Sequence, residues 1–519
     1  MFRKAKSTRQ RQDSDQPGDR IAVPCTPLVG LCEYAVKTKN GQSDMYRELL
    51  RRLHAESTAA EELIDNCGAQ YNETWYPFRE TVAAVKLFSF TCYNLLHIQD
   101  AAPRYRLIKV EGNFYEDTVR VISELTAAVA VAAKTFLVQA KHCKLVCRKN
   151  EIELRSAAAS LPHFDADRKR RHVRRTGETV VYLSTAFLNL TTDRDVANVL
   201  KARESSEYDA LIPESVNEEN LRLAEARFHN LQSHYDTYIF ESDIESRNSN
   251  LPILRGHISV IYHLLQIATS LAHYYERHMS ELRRKTAEEV RHPLSVEAIL
   301  RILFEYLLGY ARRFMNSANN LCRSMIQSYS ERREIEVPIP MYRGFHVRPS
   351  TLLAKIVAHY GSSVTMTIDN QEYNAGLVFD LFRANERINA LKRRQIAVIL
   401  SNYLDADSSI IGEQDELKQK LQFLFLALAN DRKIILYDTN LSFNELETQD
   451  DDTMLYFATR YIAHYMSASK IDVESTLTAT FEGDNRALID INLLAENGYG
   501  EDRFGNNIVL PEELSYLRT

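Results

Sequence analysis

A helical spacing of apolar residues dominates the larger N-terminal part of the chain and stops near residue 330. The stretch M-Y-R-E-L-L-R-R-L-H and the stretches from Ile258 to Tyr275 and from Val296 to Tyr329 repeat apolar side chains every three or four positions. Glycine and proline are scarce, with 16 and 13 among 519 residues, which disfavours an architecture of many short strands and turns. This pattern predicts an all-α region over residues 43–330, folded as one or two antiparallel helical bundles.

The first 42 residues lack this spacing. They are basic at first and then mixed in charge, and they lack the apolar core of a secretory signal, so we predict a flexible tail over residues 1–42. The longest apolar run of the chain, Thr126 to Ala133, is too short to cross a membrane. The net charge of -6 provides no general attraction for nucleic acid or for an anionic membrane.

Seven cysteines are scattered along the chain, at positions 25, 32, 67, 92, 143, 147 and 322. An odd number without a dense framework is typical of the reducing cytosol, so we predict a cytoplasmic location. Cys143 and Cys147 do not have the C-x-x-C spacing of a zinc site. The sequence also lacks the glycine-rich phosphate-binding motifs and the nucleophile-elbow motif. We therefore expect neither a metal nor a cofactor.

The sequence pattern changes from helical to alternating at Glu334. The stretch E-I-E-V-P-I-P-M predicts an edge strand, because its prolines cannot donate to a central ladder. A helix that Gly361 ends, two strands joined at Asp369-Asn370 and a second helix from about Leu377 follow. Q-I-A-V-I-L then predicts a further strand, and a leucine- and phenylalanine-rich stretch predicts a last helix. The order β-α-β-β-α-β-α over residues 335–431 predicts an α+β open-faced sandwich with helices on one face of the sheet.

Residues 432–519 predict a small α+β extension. K-I-I-L-Y-D is a strand pattern, an acidic loop follows around Glu447 to Asp452, and Met454 to Met466 has helical spacing. Two further strands, Thr476 to Phe481 and Ala487 to Leu493, are predicted to form a hairpin across G-D-N-R. This piece is too small for a separate fold, so we expect it to extend the preceding sheet.

The stretch G-F-H-V-R-P-S-T-L-L-A-K, which begins at Gly344, indicates the most specific chemistry. Pro349 suits the first turn of a helix, so the helix is predicted to begin near Val347, with His346 just outside its N-terminus. Unpaired N–H groups and the helix dipole attract an anion to that end, and Arg348 adds a positive charge. A neutral imidazole is a nucleophile near pH 7, and Gly344 allows a tight turn ahead of it. The motif therefore predicts a histidine that can accept a phosphoryl group and stabilise its charge.

This motif and the residues that follow it, up to Ala375, resemble HPr, the histidine-containing phosphocarrier of the bacterial phosphoenolpyruvate:sugar phosphotransferase system. The resemblance covers residues 335–431, and its motif residues are Gly344, His346, Arg348 and Pro349. It implies that Enzyme I phosphorylates His346 and that Arg348 helps to hold the phosphate. It also implies that Asn374 fills a polar position that the family often keeps in its third strand.

Two departures from the HPr pattern concern regulation and partners. Leu377 occupies the position of the regulatory serine of many HPr proteins, so regulation through that serine is not expected. The second helix is longer and more charged than in the family, where this region contacts Enzyme I, so we expect partner recognition to differ. The fused helical region favours a regulatory role over bulk sugar transport, because a carrier needs only the small domain.

Three alternatives stay open from the sequence alone. In the simplest, His346 is a solvated surface histidine in a β-α loop. In the second, the HPr-like fold and the helical bundle form an interaction scaffold without phosphoryl transfer. In the third, the basic run from Arg168 to Arg175, R-K-R-R-H-V-R-R, binds an acidic partner or nucleic acid. The absence of interleaved aromatic residues in that run favours a solvated loop, so nucleic acid is not the expected partner.

Overall fold

A computed structural model describes residues 17–37, 44–145, 176–201, 216–279, 292–404, 414–438 and 453–518, with five isolated positions between them. This part of the chain is mostly helical and contains a small antiparallel sheet. It divides into two compact units, a helical unit within residues 1–179 and 186–322 and an α+β unit within residues 180–185 and 323–519. A helical region followed by a smaller α+β part is the coarse fold class that the sequence predicts.

The helical unit is a bundle of long amphipathic helices. Helices that lie wholly or largely in it are α1 (Pro17–Lys37), α2 (Asp44–Asn66), α3 (Tyr76–Ala101), α4 (Phe114–His142), α5 (Thr176–Thr192), α6 (Arg194–Leu200), α7 (Glu218–Tyr238), α8 (Asp243–Arg247), α9 (Asn250–Tyr274), α10 (Val296–Arg301) and α11 (Gly309–Tyr329). Two π-helical stretches, Tyr275–Met279 and Ile302–Leu308, continue α9 and join α10 to α11. Helix α3 packs against α2, α4 and α9, and its Phe78 and Phe88 are fully buried there.

The flexible tail predicted over residues 1–42 is wrong for its second part. Pro17–Lys37 forms α1, which packs against α2 and α4 and fully buries Leu28 and Leu31. Two internal prolines concealed this helix in the sequence, because each costs about 3 kcal/mol in a helix interior. Burial of a leucine contributes about 1.5–3 kcal/mol, so several buried apolar side chains offset that cost. Residues 1–16 lie outside the described part of the chain.

Two helical stretches, Tyr76–Arg104 and Phe114–His142, are long and apolar enough to cross a membrane by length and composition. In the first, 78% of the most apolar window is buried inside the protein, and in the second 44%. The run Thr126 to Ala133 lies inside the second, whose flanking apolar residues make it longer than the uninterrupted run indicates. Core helices of soluble proteins share this length and composition, so these two properties do not identify a membrane span.

The α+β unit is organised around a four-stranded antiparallel sheet in the order β1-β6-β2-β3. Its elements are β1 (Arg332–Pro338), α12 (Val347–Tyr360), β2 (Val364–Ile368), β3 (Gln371–Asn374), α13 (Val378–Leu400), α14 (Gln414–Asn430), β4 (Ile434–Leu436), α15 (Met454–Ser467), β5 (Ile471–Val473), β6 (Thr478–Asp484) and α16 (Asn485–Glu496). Strand β2 buries alternate side chains, as a strand packed on one face does. Phe345, Met366 and Phe481 lie in the shared core with side chains of α12, α13 and α16.

Local predictions in this unit are confirmed where neighbouring residues decide the backbone. Strand β1 is an edge strand, as its prolines indicate. Helix α12 ends at Gly361, whose φ of 61° is the left-handed conformation of a helix C-terminus. Asp369 and Asn370 also have positive φ, 47° and 59°, in the tight turn between β2 and β3.

Two strands predicted farther along the chain are wrong. The stretch Q-I-A-V-I-L is the end of α13, because Ile396 and Leu400, one helical turn apart, are both buried in a second core. The hairpin predicted across G-D-N-R is a strand followed by helix α16. The carboxylate of Asp484 accepts a hydrogen bond from the Arg486 N–H (3.0 Å) and caps that helix.

The C-terminal region contributes the centre of the sheet and not an added edge. Phe481 of β6 pairs with Ile335 of β1 on one side and with Met366 of β2 on the other. Residues 335–431 alone therefore do not complete the predicted sandwich, and the domain boundary predicted at residue 431 divides one sheet. Between α13 and β6, the described helices α14 and α15 and the β4–β5 ribbon form a second core, and a buried ion pair between Lys392 and Asp472 (2.8 Å) attaches β5 to α13.

Candidate functional site

His346 is the N-cap residue of α12, and Pro349 lies in the first turn, as the sequence predicts. The His346 N–H donates to the carbonyl of Gly344 (2.8 Å), and the Ser350 N–H donates to the carbonyl of His346 (3.1 Å). The His346 side chain makes no capping hydrogen bond, and Pro349 has no N–H. The N–H groups of Val347 and Arg348 therefore remain without partners among the described residues.

The turn before the histidine has a left-handed backbone. Arg343 and Gly344 have φ values of 56° and 61°. A Cβ atom at Gly344 would lie 2.1 Å from Oδ1 of Asn385, so any other residue there would have to displace the Asn385 side chain and adopt a left-handed backbone. The Asn385 side-chain amide also donates to the carbonyl of Arg343 (3.1 Å). Gly344 therefore has the role that the sequence predicts, and Asn385 is a supporting residue that the sequence did not indicate.

The ring of His346 has a carboxylate partner from the far end of the chain. Its Nε2 atom lies 2.7 Å from Oε2 of Glu501, 155 positions later. The Glu501 side chain is 8% exposed and that of His346 is 20% exposed, so the carboxylate is more deeply buried than the ring. Nη1 of Arg348 lies 3.8 Å from the other oxygen of Glu501 and donates a hydrogen bond to Asn507. The two side chains predicted for the site, His346 and Arg348, thus share one carboxylate.

A left-handed turn positions Glu501. Gly498, Tyr499 and Gly500 have φ values of 62°, 59° and 79°. This conformation costs a tyrosine about 1–2 kcal/mol. Burial of the Tyr499 ring and a hydrogen bond from its hydroxyl to the carbonyl of Pro338 (2.7 Å) offset that cost. Strain held next to a buried carboxylate is typical of a functional segment.

An aromatic ring defines the orientation of His346. The Tyr342 ring meets the His346 ring edge to face, with centroids 5.4 Å apart, and contacts Tyr437 on another side at 5.0 Å. A Cβ atom at Gly505 would lie 2.6 Å from the Tyr342 ring, so the backbone of the C-terminal loop packs directly on it. Burial raises the pKa of Tyr437 above its ordinary range, which keeps this neighbour neutral.

The contact with Glu501 determines which ring nitrogen is available for chemistry. A carboxylate only accepts hydrogen bonds, so the neutral ring of His346 carries its proton on Nε2 and has a lone pair on Nδ1. Nδ1 has no hydrogen-bond partner among the described residues. The arrangement therefore provides a partly exposed nucleophile beside the free N–H groups of a helix N-terminus.

Other residues of interest from the sequence are placed away from this chemistry or lie outside the description. Asn374 accepts a hydrogen bond from the Gly376 N–H (2.9 Å), so it stabilises the turn before α13. Leu377 is the N-cap residue of α13 and is 54% exposed, close in sequence to Phe379, which is 82% exposed. The basic run from Arg168 to Arg175, Cys147 and the acidic loop from Glu447 to Asp452 lie outside the described residues.

No protein-family model, curated protein sequence or solved structure matches this chain. In the described part of the chain, no three His, Cys, Asp or Glu side chains are placed together to hold a metal ion. The geometry around His346 is therefore the observation from which a function can be argued.

Proposed function

We propose that this chain is an HPr-like phospho-acceptor that receives a phosphoryl group on His346. The observation that supports this most directly is the pairing of Nε2 with Glu501, which leaves Nδ1 as a nucleophile. Two unpaired N–H groups of α12 and the guanidinium of Arg348 lie on the same helix turn, where a transferred phosphate needs positive charge. Glu501, Arg348 and these N–H groups are the reason why we propose His346 as the acceptor.

In the proposed step, the Nδ1 lone pair attacks the phosphorus of a phosphohistidine donor. The bond between that phosphorus and the donor nitrogen breaks, its electron pair returns to the donor nitrogen, and a bond from Nδ1 to phosphorus forms. Positive charge develops on the His346 ring during the attack. Glu501 stabilises that charge through the Nε2–H group, in the way that a buried carboxylate orients a catalytic histidine.

The order of elements in the α+β unit supports the same proposal. When residues 401–477 are left out as an insertion, the elements of the unit follow the order β1-α12-β2-β3-α13-β6-α16 along the chain. That is the β-α-β-β-α-β-α order that the resemblance to HPr implies, with strand four and helix three supplied from the C-terminal region. The proposed domain therefore spans residues 332–518, because Tyr499, Leu510 and Leu514 belong to its core, and it includes an insertion that the sequence did not indicate.

The partners follow from the same reasoning. Enzyme I or another phosphohistidine donor of a bacterial cytoplasm is the proposed source of the phosphate. Val347, next to the acceptor, is 66% exposed and offers an apolar contact for that donor. The large helical unit favours a regulatory role, because transfer itself uses only groups of the α+β unit.

Incubation with Enzyme I and labelled phosphoenolpyruvate tests the proposal, with an ordinary HPr as the working acceptor. We expect acid-labile label on the wild-type chain and none on the His346→Ala variant. His359→Ala is the matched control, because His359 lies in the same helix but stacks on Tyr516 with ring centroids 4.0 Å apart. Label on His346→Ala, or an unlabelled wild type beside a labelled HPr, contradicts the proposal.

An interaction scaffold without phosphoryl transfer is the second candidate, and one observation favours it. Arg348 and one nitrogen of His346 already have partners within the chain, in Asn507 and Glu501. An incoming phosphate must compete with those contacts. Comparison of the proteins captured by the wild type and by His346→Ala distinguishes the candidates. Identical partners together with an unlabelled His346 support the scaffold.

A further inference from the structure

The helical unit contains a cavity of about 710 Å³ that the proposed function does not use. It lies among the end of α3, the segment 106–113 and the start of α4, and Phe314 of α11 also lines it. Its apolar lining consists mainly of Ile98, Leu107, Ile108, Val110, Phe114 and Phe314. A volume of this size and a mostly apolar lining are typical of small-molecule sites, which usually bury most of their ligand.

The charged residues that line the cavity are both cations. Arg106 and Lys109 line it and no aspartate or glutamate does, although the whole chain has a net charge of -6. Neither cation has a hydrogen bond or ion pair with any described residue, and the same holds for the half-buried amide of Gln99. Arg106 and Lys109 are both exposed, so a ligand from solvent can reach their charges. Unpaired positive charge beside an apolar cavity is complementary to an anion.

The walls of the cavity are held in place without a ligand. A Cβ atom at Gly256 would lie 2.3 Å from the carbonyl oxygen of Tyr105, so the segment before the cavity packs directly on the α9 backbone. The Ser259 hydroxyl donates to the Tyr105 hydroxyl (3.0 Å), and the Ile108 N–H donates to Nε2 of the buried His257 (3.4 Å). A site with fixed walls loses little conformational entropy on binding.

We propose that this cavity binds a small amphiphilic anion, with an alkyl or aryl body against Phe114 and Phe314 and a single carboxylate at Arg106 and Lys109. Two cations match one anionic group and not a chain of phosphates. The apolar lining excludes a strongly hydrated ligand such as a free sugar phosphate, because its polar groups would lose their water without new partners. The site does not depend on His346, so this inference stands or falls separately from the proposed function.

Isothermal titration calorimetry of the full chain with octanoate and with 1-naphthoate tests the site. We expect saturable binding of at least one of them, and weaker binding of 1-octanol, which has an alkyl body without the charge. Arg106→Gln and Lys109→Gln should each weaken carboxylate binding by about tenfold, the loss of one charge-assisted hydrogen bond. Ala102→Phe, which places a ring in the cavity, should abolish it.

The matched control is Arg104→Gln, since Arg104 lies two residues before Arg106 but does not line the cavity. Fluorescence of Trp75, the single tryptophan, reports whether each variant keeps the helical unit folded. Three results overturn the proposal: no saturable binding of either carboxylate at millimolar concentration, equal binding of 1-octanol and octanoate, or equal loss in Arg104→Gln and Arg106→Gln. A folded Ala102→Phe variant that binds like the wild type also overturns it.

Discussion

The two units each contain a histidine paired with a buried carboxylate, and the two pairs differ in access. In the helical unit, Nδ1 of His278 lies 2.5 Å from Oε2 of Glu80, and their side chains are only 5% and 6% exposed. In the α+β unit, Nε2 of His346 lies 2.7 Å from Glu501, and the ring is 20% exposed. His278 belongs to a π-helical stretch and stacks on Tyr274 at 5.2 Å, whereas His346 stands at a helix N-terminus.

This difference separates a histidine–carboxylate pair that solvent and a ligand do not reach from one that they can reach. The His278 pair is enclosed by side chains, so its contribution is to stability and specificity within the core. In the His346 pair, Nδ1 of the ring is free and the ring is partly exposed. Unpaired N–H groups of the first turn of α12 follow it directly in the chain. Reactivity requires those additional features, and each of them can be tested separately.

The largest expected difference between the pairs is in phosphoryl acceptance. His346→Ala should lose all acid-labile label from an Enzyme I reaction, because it removes the proposed Nδ1 nucleophile at the N-terminus of α12. His278→Ala should be labelled at the wild-type rate. Equal labelling of both variants would remove this distinction between the two pairs. Trp75 fluorescence confirms that the helical unit of His278→Ala is folded, and far-UV circular dichroism of the full chain is the check for His346→Ala.

For the free energy of unfolding we expect the opposite ranking, with the larger effect at His278. His278→Ala should destabilise the helical unit by about 3–5 kcal/mol, because it leaves the carboxylate of Glu80 buried without its main partner. Urea unfolding followed by Trp75 fluorescence measures this unit specifically. The matched control is His273→Ala, whose ring also contacts a glutamate (Glu218, 2.7 Å) but is 32% exposed. There we expect about 1 kcal/mol or less. Equal losses of unfolding free energy in the two variants would show that burial of a pair does not decide how much the pair stabilises the unit.

The helical unit should also lose stability in mild acid. Burial, assisted by the neighbouring His97, lowers the pKa of His263 from its ordinary value of 6.5 to about 4. The unfolded chain therefore binds this proton first, so the contribution to stability is complete above about pH 6.5 and is lost as the pH falls towards 4. The loss amounts to about 3 kcal/mol. His263→Gln should make the urea midpoint less dependent on pH in that range, and an unchanged dependence would contradict this assignment.

The smallest expected effect concerns the role of Glu501 in the phosphoryl transfer. Glu501→Ala should slow labelling of His346 by about tenfold, because the ring loses its orienting carboxylate. Glu501→Gln should slow it more, by about 100-fold. The amide oxygen would face Arg348, so the amide NH₂ would donate to Nε2 and transfer the ring proton to Nδ1. A Gln variant faster than the Ala variant would contradict the proposed proton position. Ring nitrogen chemical shifts of the two variants check the tautomer directly.

Much of the local structure around the site could be predicted because adjacent residues decide it. Pro349 marks the first turn of α12 and places His346 at its N-cap, and Gly361 ends the helix. Asp369 and Asn370 form the turn between β2 and β3. These assignments rest on backbone preferences of one or two residues, which tertiary contacts did not override.

The errors arose where distant residues decide the conformation. Q-I-A-V-I-L has the β-branched composition of a strand, but a second core from residues 401–477 buries one side of it as a helix. The hairpin across G-D-N-R failed because Asp484 caps a helix whose apolar face packs on the sheet. In the N-terminal tail, contacts with α2 and α4 stabilise a helix despite two prolines.

The sequence by itself determined the histidine motif that begins at Gly344, the helix that begins within it and the division into a helical and an α+β part. Only the tertiary structure placed β6 between β1 and β2 and brought Glu501 to within 2.7 Å of His346. The physical reason is the distance along the chain between the residues that decide each feature. Helix starts, helix stops and tight turns are decided by the dihedral preferences of neighbouring residues. A strand order and a contact across 155 positions depend on which buried surfaces meet, and no local preference encodes that choice.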